Sequence, residues 1–322
     1  MTGSSTTRRK PERGFALLVA IVLSSVAAVI TFALASLAYK NLILASDATQ
    51  SQFAFYAADS ALECALLGDK GCGFENQLAS IDRALGADGL GPAPSTNANF
   101  LRPNAYLVVL MLTNEDDCSA PANTELYSQN GGLQNLSNPL GPIGNYRCNR
   151  FGHLCADSGS IISPPLNPPP NGQGTTAAPT LDLANCTSND TTGLLTPVAK
   201  FVSDIKALKP DPDHQIIVGA IAGPPTPYTV AWVPAQGASS GTPAGQLWPQ
   251  IEHSCGPAGF DDVNPEATQN PTDGSFGDPG VRIAQFVQAF ANNVQGSICD
   301  ASFGTSLGAV AAKIGQLIDA QP

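Results

Sequence analysis

Tyr106-Leu107-Val108-Val109-Leu110-Met111-Leu112, followed at once by Thr113-Asn114-Glu115-Asp116-Asp117, is the stretch on which the reading of the fold turns. Its apolar run does not alternate with polar residues. That pattern predicts a strand covered on both faces, as in a sheet sandwiched by helices. In open α/β sheets, ligands collect beyond the carboxyl ends of the strands. The acidic tract stands there. Asn114, Asp116 and Asp117 are hard oxygen donors of the kind that suits Mg²⁺ or Ca²⁺; a solvated acidic loop is the other reading of the same residues.

Working outward, residues 75–85 read as a short helix with Leu78, Ile81 and Leu85 on one side. Residues 118–190 hold four cysteines and Pro164-Pro165-Leu166-Asn167-Pro168-Pro169-Pro170, which predicts a long disulfide-tethered excursion with little regular structure. Thr196 as N-cap and Pro197 in the first turn open a helix whose buried face is Val198, Phe201, Val202, Ile205 and Leu208. Residues 215–221 predict a second buried strand and 229–233 a third at an edge. Residues 235–280 read as loop. Ile283, Phe286, Val287, Phe290 and Val294 predict one amphipathic helix, and Leu307, Val310, Ala311, Ile314 and Ile318 another.

The other organising feature is N-terminal. Residues 15–39 are 25 positions without a charge, preceded by Arg8, Arg9, Lys10 and Arg13. A helix needs roughly 20 apolar residues to cross a bilayer. The basic flank predicts residues 1–14 inside the cytoplasm and the chain beyond Lys40 outside. A removable signal peptide and a plain anchor are competing readings. Past Lys40 the pattern turns amphipathic, so residues 15–67 predict one long helix.

Composition agrees with an exported chain. The formal net charge is −11, from 15 Lys+Arg against 26 Asp+Glu, a balance that argues against nucleic acid as a partner. Cys64, Cys72, Cys118, Cys148, Cys155, Cys186, Cys255 and Cys299 all fall on the outer side, where eight cysteines predict up to four disulfides. The zinc reading is poor: there is no Cys-x-x-Cys, and His153, His214 and His253 form no pair at helical spacing.

Two resemblances emerge from these residues. Glu12-Arg13-Gly14-Phe15-Ala16-Leu17-Leu18-Val19-Ala20 resembles the class III leader of type IV pilins and pseudopilins, and Ser51-Gln52-Phe53-Ala54-Phe55-Tyr56-Ala57-Ala58-Asp59-Ser60-Ala61-Leu62-Glu63 is similar to the lower half of a minor pilin's first helix. The resemblance implies cleavage by a prepilin peptidase between Gly14 and Phe15, methylation of Phe15, and assembly with other pilin subunits. Most pilins carry Glu at the fifth mature position, where this chain has Val19, as some minor pilins and pseudopilins do.

The second resemblance covers about residues 71–322. Gly71-Cys72-Gly73-Phe74-Glu75, Phe100-Leu101-Arg102-Pro103-Asn104-Ala105-Tyr106, Leu112-Thr113-Asn114-Glu115-Asp116-Asp117-Cys118, Ala220-Ile221-Ala222-Gly223-Pro224-Pro225 and Cys299-Asp300-Ala301-Ser302-Phe303 are similar to bacterial secreted von Willebrand factor A-type proteins. The resemblance implies an α/β fold and places Asn114 where many relatives have an Asp ligand, with Asp116 nearby. Complete domains of that type open with a strand ending in Asp-x-Ser-x-Ser. No stretch here supplies it, so the implied module is an incomplete Rossmann-like sandwich, truncated at its front.

Together these imply a leader (1–14), a transmembrane pilin-type helix (15–67) and an extracytoplasmic A-like module (71–322). The expected function is a minor pilin-like subunit that presents an adhesive module to a surface or protein ligand. A membrane-anchored binding protein outside any filament is the alternative, and an accidental fusion near residues 68–71 is a further one. A hydrolase ranks third: Asp157-Ser158-Gly159 and Gly237-Ala238-Ser239-Ser240-Gly241 echo catalytic serine tracts but lack the flanking pattern those tracts need.

Overall fold

The computed structural model describes residues 74–94, 97, 100–121, 124–128, 138–141, 145–169, 173–175, 178–234, 247–256 and 276–319. The predicted leader, Gly14, Phe15, the long apolar helix, Cys64 and Cys72 lie outside the described residues. Among those described, no helix is long and apolar enough to cross a membrane.

The fold is α/β with two sheets. In the first, β1 (Leu107–Leu112), β6 (Ile216–Ala222) and β9 (Asn292–Ser297) run parallel in the order β1-β6-β9. Val109 lies opposite Val218, and Val218 opposite Asn293. One face of this sheet carries α1 (Gln77–Leu85), α3 (Val198–Lys206) and α5 (Val281–Gln288). Leu78 and Ile81, then Val198, Phe201 and Ile205, then Ile283, Phe286 and Val287 meet Leu107, Val109, Met111, Ile216 and Val218 in one apolar core. Each of those buried aliphatic or aromatic side chains is worth about 1.5–3 kcal/mol relative to exposure.

The opposite face differs from the sequence expectation. Burial along β1 alternates, with Leu107, Val109 and Met111 inside and Val108, Leu110 and Leu112 exposed. Among the described residues a single helix, α6 (Gly304–Asp319), lies on that side, against β6 and β9. Val310 is buried there, whereas Leu307 and Ile318 are exposed, so the predicted apolar face of this helix is largely uncovered.

The second sheet is antiparallel and overturns the expectation of an irregular excursion. Its order is β3-β2-β5-β7-β8, with β4 also on β5: β2 (His153–Asp157), β3 (Ser160–Ile162), β4 (Gln173–Thr175), β5 (Ala178–Ser188), β7 (Tyr228–Pro234) and β8 (Leu247–Ile251). Strand β7, expected at an edge, is interior, and β8 falls in the stretch read as loop. The helix read across 283–294 ends at Gln288, and Val294 belongs to β9. Two short helices complete the described residues, α2 (Asn145–Gly152) and α4 (Pro212–Gln215). A second core of Tyr146, Leu181, Leu183, Tyr228, Val230, Trp232 and Ile251 includes Val281, so α5 contributes to both cores.

Among the described residues there are three disulfides: Cys118–Cys148, Cys155–Cys186 and Cys255–Cys299. The last ties the segment after β8 to the segment after β9. Beside the first, the buried Arg147 guanidinium donates to the carbonyls of Leu126 (2.7 Å), Ser128 (3.0 Å) and Gly141 (2.8 Å). A single cation there satisfies three backbone carbonyls.

Candidate functional site

The acidic tract after β1 lies at the carboxyl end of the parallel sheet, as expected, but the carboxylates of Asp116 and Asp117 face inward. Thr113 N–H still belongs to the ladder, donating to Ile221 O (3.1 Å). Gln77 Nε2 then donates to Thr113 Oγ1 (2.9 Å), and the chain turns into the protein. Asn114 accepts through its backbone carbonyl from the Asp278 N–H (2.7 Å).

Asp116 and Asp117 cap two different helices. The Asp116 carboxylate accepts the N–H groups of Arg282 (2.9 Å) and Ile283 (3.1 Å), the first turn of α5. A negative group there satisfies donors that have no partner within the helix and sits at the positive end of its dipole. The other partner of Asp116 is His153, whose Nε2 lies 2.8 Å from Oδ2. His153 Nδ1 is 2.8 Å from the Tyr228 hydroxyl, and that hydroxyl is 3.0 Å from Asn149 Oδ1. Burial pushes the Asp116 carboxyl up, but His153 and the two backbone N–H groups outweigh it and hold the group below the usual carboxylate range.

Asp117 accepts from Leu78 N–H (2.9 Å) in the first turn of α1 and from Ser119 Oγ (2.5 Å). Ser119 Oγ accepts in turn from Ala79 N–H (2.9 Å). The guanidinium of Arg282 closes on the same carboxylate through Nε (3.1 Å) and Nη2 (3.0 Å). Its remaining donors reach Ser188 Oγ (2.9 Å) and Thr196 O (2.7 Å). Both side chains are fully buried. Burial drives the Asp117 carboxyl upward, opposed by Arg282, Ser119 and the Leu78 N–H.

A shallow dent bordered by Glu75, Glu115, Asn149, His153 and Asp278 opens onto this cluster, with about 10 Å³ of free space. That is the room one water needs. His253 lies beyond it, stacked on Phe276 at 4.3 Å and 3.8 Å from Asp278 Oδ1. Among the described residues no group of three His, Cys, Asp or Glu is arranged to hold a metal ion. Of the three proposed ligands, Asp116 and Asp117 already spend their oxygens on helix N–H groups, His153 and Arg282. The close pass of Asp278 over the end of β6 requires glycine at 223, where a Cβ would collide with the Asp278 carbonyl.

No family model matches the chain, and neither does any curated protein or solved structure.

The residues that complete this cluster, Arg282, His153, Tyr228 and Asn149, were not singled out from the sequence. One of them left a sign: Arg282 is the single Lys or Arg between Lys209 and Lys313. A lone cation in the first turn of an amphipathic helix, in so acidic a chain, marks a carboxylate partner. The Asp157-Ser158-Gly159 tract is the turn between β2 and β3, and the Ser158 hydroxyl donates to its neighbour Asp157 (3.0 Å). Residues 237–241 lie outside the described residues.

Proposed function

We propose that the chain is a minor pilin-like subunit of a type IV pilus or related filament, anchored in the cytoplasmic membrane by residues 15–39. Outside the membrane it presents a front-truncated von Willebrand factor A-like module that binds a surface or protein ligand. The observation that carries this reading is Arg13-Gly14-Phe15 running directly into 25 uncharged residues. The three disulfides support placement in an oxidising compartment. The parallel sheet supports an incomplete Rossmann-like core. Val19 at the fifth mature position weighs against a major subunit, and a membrane-anchored binding protein that never enters a filament is the alternative reading.

Intact-mass measurement on membrane-extracted protein tests the assignment. A loss of residues 1–14 with one added methyl group is expected, and Gly14→Val is expected to retain the leader, because a peptidase reading this junction needs the small residue. An intact Met1 in the unsubstituted protein, or a Gly14→Val variant still shortened by 14 residues, would overturn it.

A further inference from the structure

The outer edge of the parallel sheet is built unlike a protected edge. Among the described residues β1 pairs with β6 alone. Thr113 N–H points at Ile221, so by alternation Leu107, Val109 and Met111 also turn their backbone groups toward β6. Val108, Leu110 and Leu112 therefore direct their N–H and C=O groups outward, along an edge that no described residue pairs. The same three carry the exposed side chains, at 39%, 39% and 60%. Edge strands ordinarily bear a charge, a proline or a bulge that prevents pairing. Leu107-Val108-Val109-Leu110-Met111-Leu112 has none of these.

We propose that β1 is a self-association edge: two copies pair their β1 strands antiparallel about a two-fold axis through Leu110, merging two three-stranded sheets into one of six. Identical edges related by a two-fold axis must run antiparallel. Residues directly opposite each other must share a face, and the outward backbone groups belong to 108, 110 and 112. The register that uses all three sets Leu110 against Leu110 and Val108 against Leu112. The ends then complement each other in charge, because the exposed Arg102 before the strand in one copy approaches the end that carries Glu115 in the other. The outer row faces the α6 side: a Cβ at Gly219 would meet both Leu110 Cδ1 (3.0 Å) and Val310 Cγ2 (3.3 Å). In the pair, the two outer rows make one apolar band flanked by two α6 helices, whose Leu307 and Ile318 are otherwise exposed.

The test is sedimentation equilibrium of the full chain in density-matched detergent, with and without Leu110→Lys and Leu110→Pro. The proline variant removes one outward N–H and leaves the β1–β6 ladder intact, so its thermal melt should stay near that of the unsubstituted chain. A dimer at about 10 μM, weakened tenfold or more by each variant, is the expected result. If the proline variant unfolds, the lysine variant carries the comparison. Separately, Leu110→Cys treated with a short bis-maleimide should give a 110–110 linked peptide by mass spectrometry, since such paired Cα atoms lie about 5.5 Å apart. A monomeric unsubstituted chain, a dimer indifferent to Leu110→Lys, or linkage without a 110–110 product would overturn the proposal. So would a monomer whose edge is instead closed by another protein's strand.

Discussion

The two ends of α1 bury carboxylates in opposite circumstances. At the amino end, Asp117 receives Leu78 N–H, Ser119 and the Arg282 guanidinium. Toward the other end Asp82 is just as buried, at 1% exposure, yet neither oxygen accepts a hydrogen bond from a described residue. Asp204 of α3 faces it, with Lys200 and Asp88 nearby. Burial, then the apposed Asp204 carboxyl, pushes Asp82 up to about 8. Two ionised carboxylates repel, whereas a pair sharing one proton does not. The comparison teaches that burial alone does not fix a carboxylate's state; the donors that reach it do.

The largest effect should come from breaking the satisfied end. Arg282→Met strands Asp117 inside the protein, and removing one partner of a buried pair costs about 3–5 kcal/mol. A Tm decrease of roughly 10 °C is expected in a thermal melt. No change would mean that Asp117 is neutral and held without the guanidinium.

Asp116→Ala removes the cap of α5 and a partner of His153, with an expected loss of about 2 kcal/mol in denaturant titrations. The pH dependence gives the sign. A carboxyl held below its unfolded value contributes stability that is present above about pH 4 and lost as pH falls through the folded value. The unsubstituted chain should therefore lose stability below pH 4 more steeply than the Asp116→Ala variant.

Asp82 works in the other direction. Its folded value is raised, so its contribution is fully present below about pH 4 and is lost as pH rises through about 8. Tm should fall between pH 6 and pH 9 in the unsubstituted chain. Asp82→Asn, which keeps the shape without the charge, should flatten that fall and melt higher at pH 9. A parallel decline in both proteins would place the lability elsewhere.

The smallest effect is expected from divalent ions. An ion bound only to the native state adds RT ln(1+[L]/Kd), about 2.7 kcal/mol at ~100 times Kd. Because Asp116 and Asp117 are engaged by protein donors, 10 mM Mg²⁺ or Ca²⁺ should move Tm by less than about 1 °C. A shift of several degrees that disappears in Asp116→Ala would show that the cap gives way to a metal.

What could be read from the sequence follows the same division. Strands β1 and β6 announced themselves as continuous apolar runs, and helices α1 and α3 by apolar residues repeating at helical spacing. Strand β9, Asn292-Asn293-Val294-Gln295-Gly296-Ser297, did not, since only Val294 is a good strand former. Apart from β7, legible in residues 229–233, the antiparallel sheet was hidden by its prolines and cysteines, which signal loop locally while the pairing of β2, β5 and β7 is non-local. For the site, the position of the acidic tract was legible and its employment was not. Asp116 and Asp117 meet Arg282 some 165 residues away in the chain, and local pattern carries no record of such a meeting. The cap of α3 repeats the point: Asp190, not the Thr196 read as its cap, accepts Val198 N–H (2.9 Å) and Ala199 N–H (3.0 Å).

The three disulfides close consecutive, non-overlapping loops, with separations of 30, 31 and 44 residues. Under a pulling force applied along the chain, each bond passes the tension directly from cysteine to cysteine. On the order of a hundred residues, roughly 350 Å of contour at ~3.5 Å each, are thereby withheld from extension. Stretched from its two ends, an oxidised molecule would reach its full length far sooner than a reduced one, and a single-molecule extension trace would display that missing length as a direct reading of its redox state.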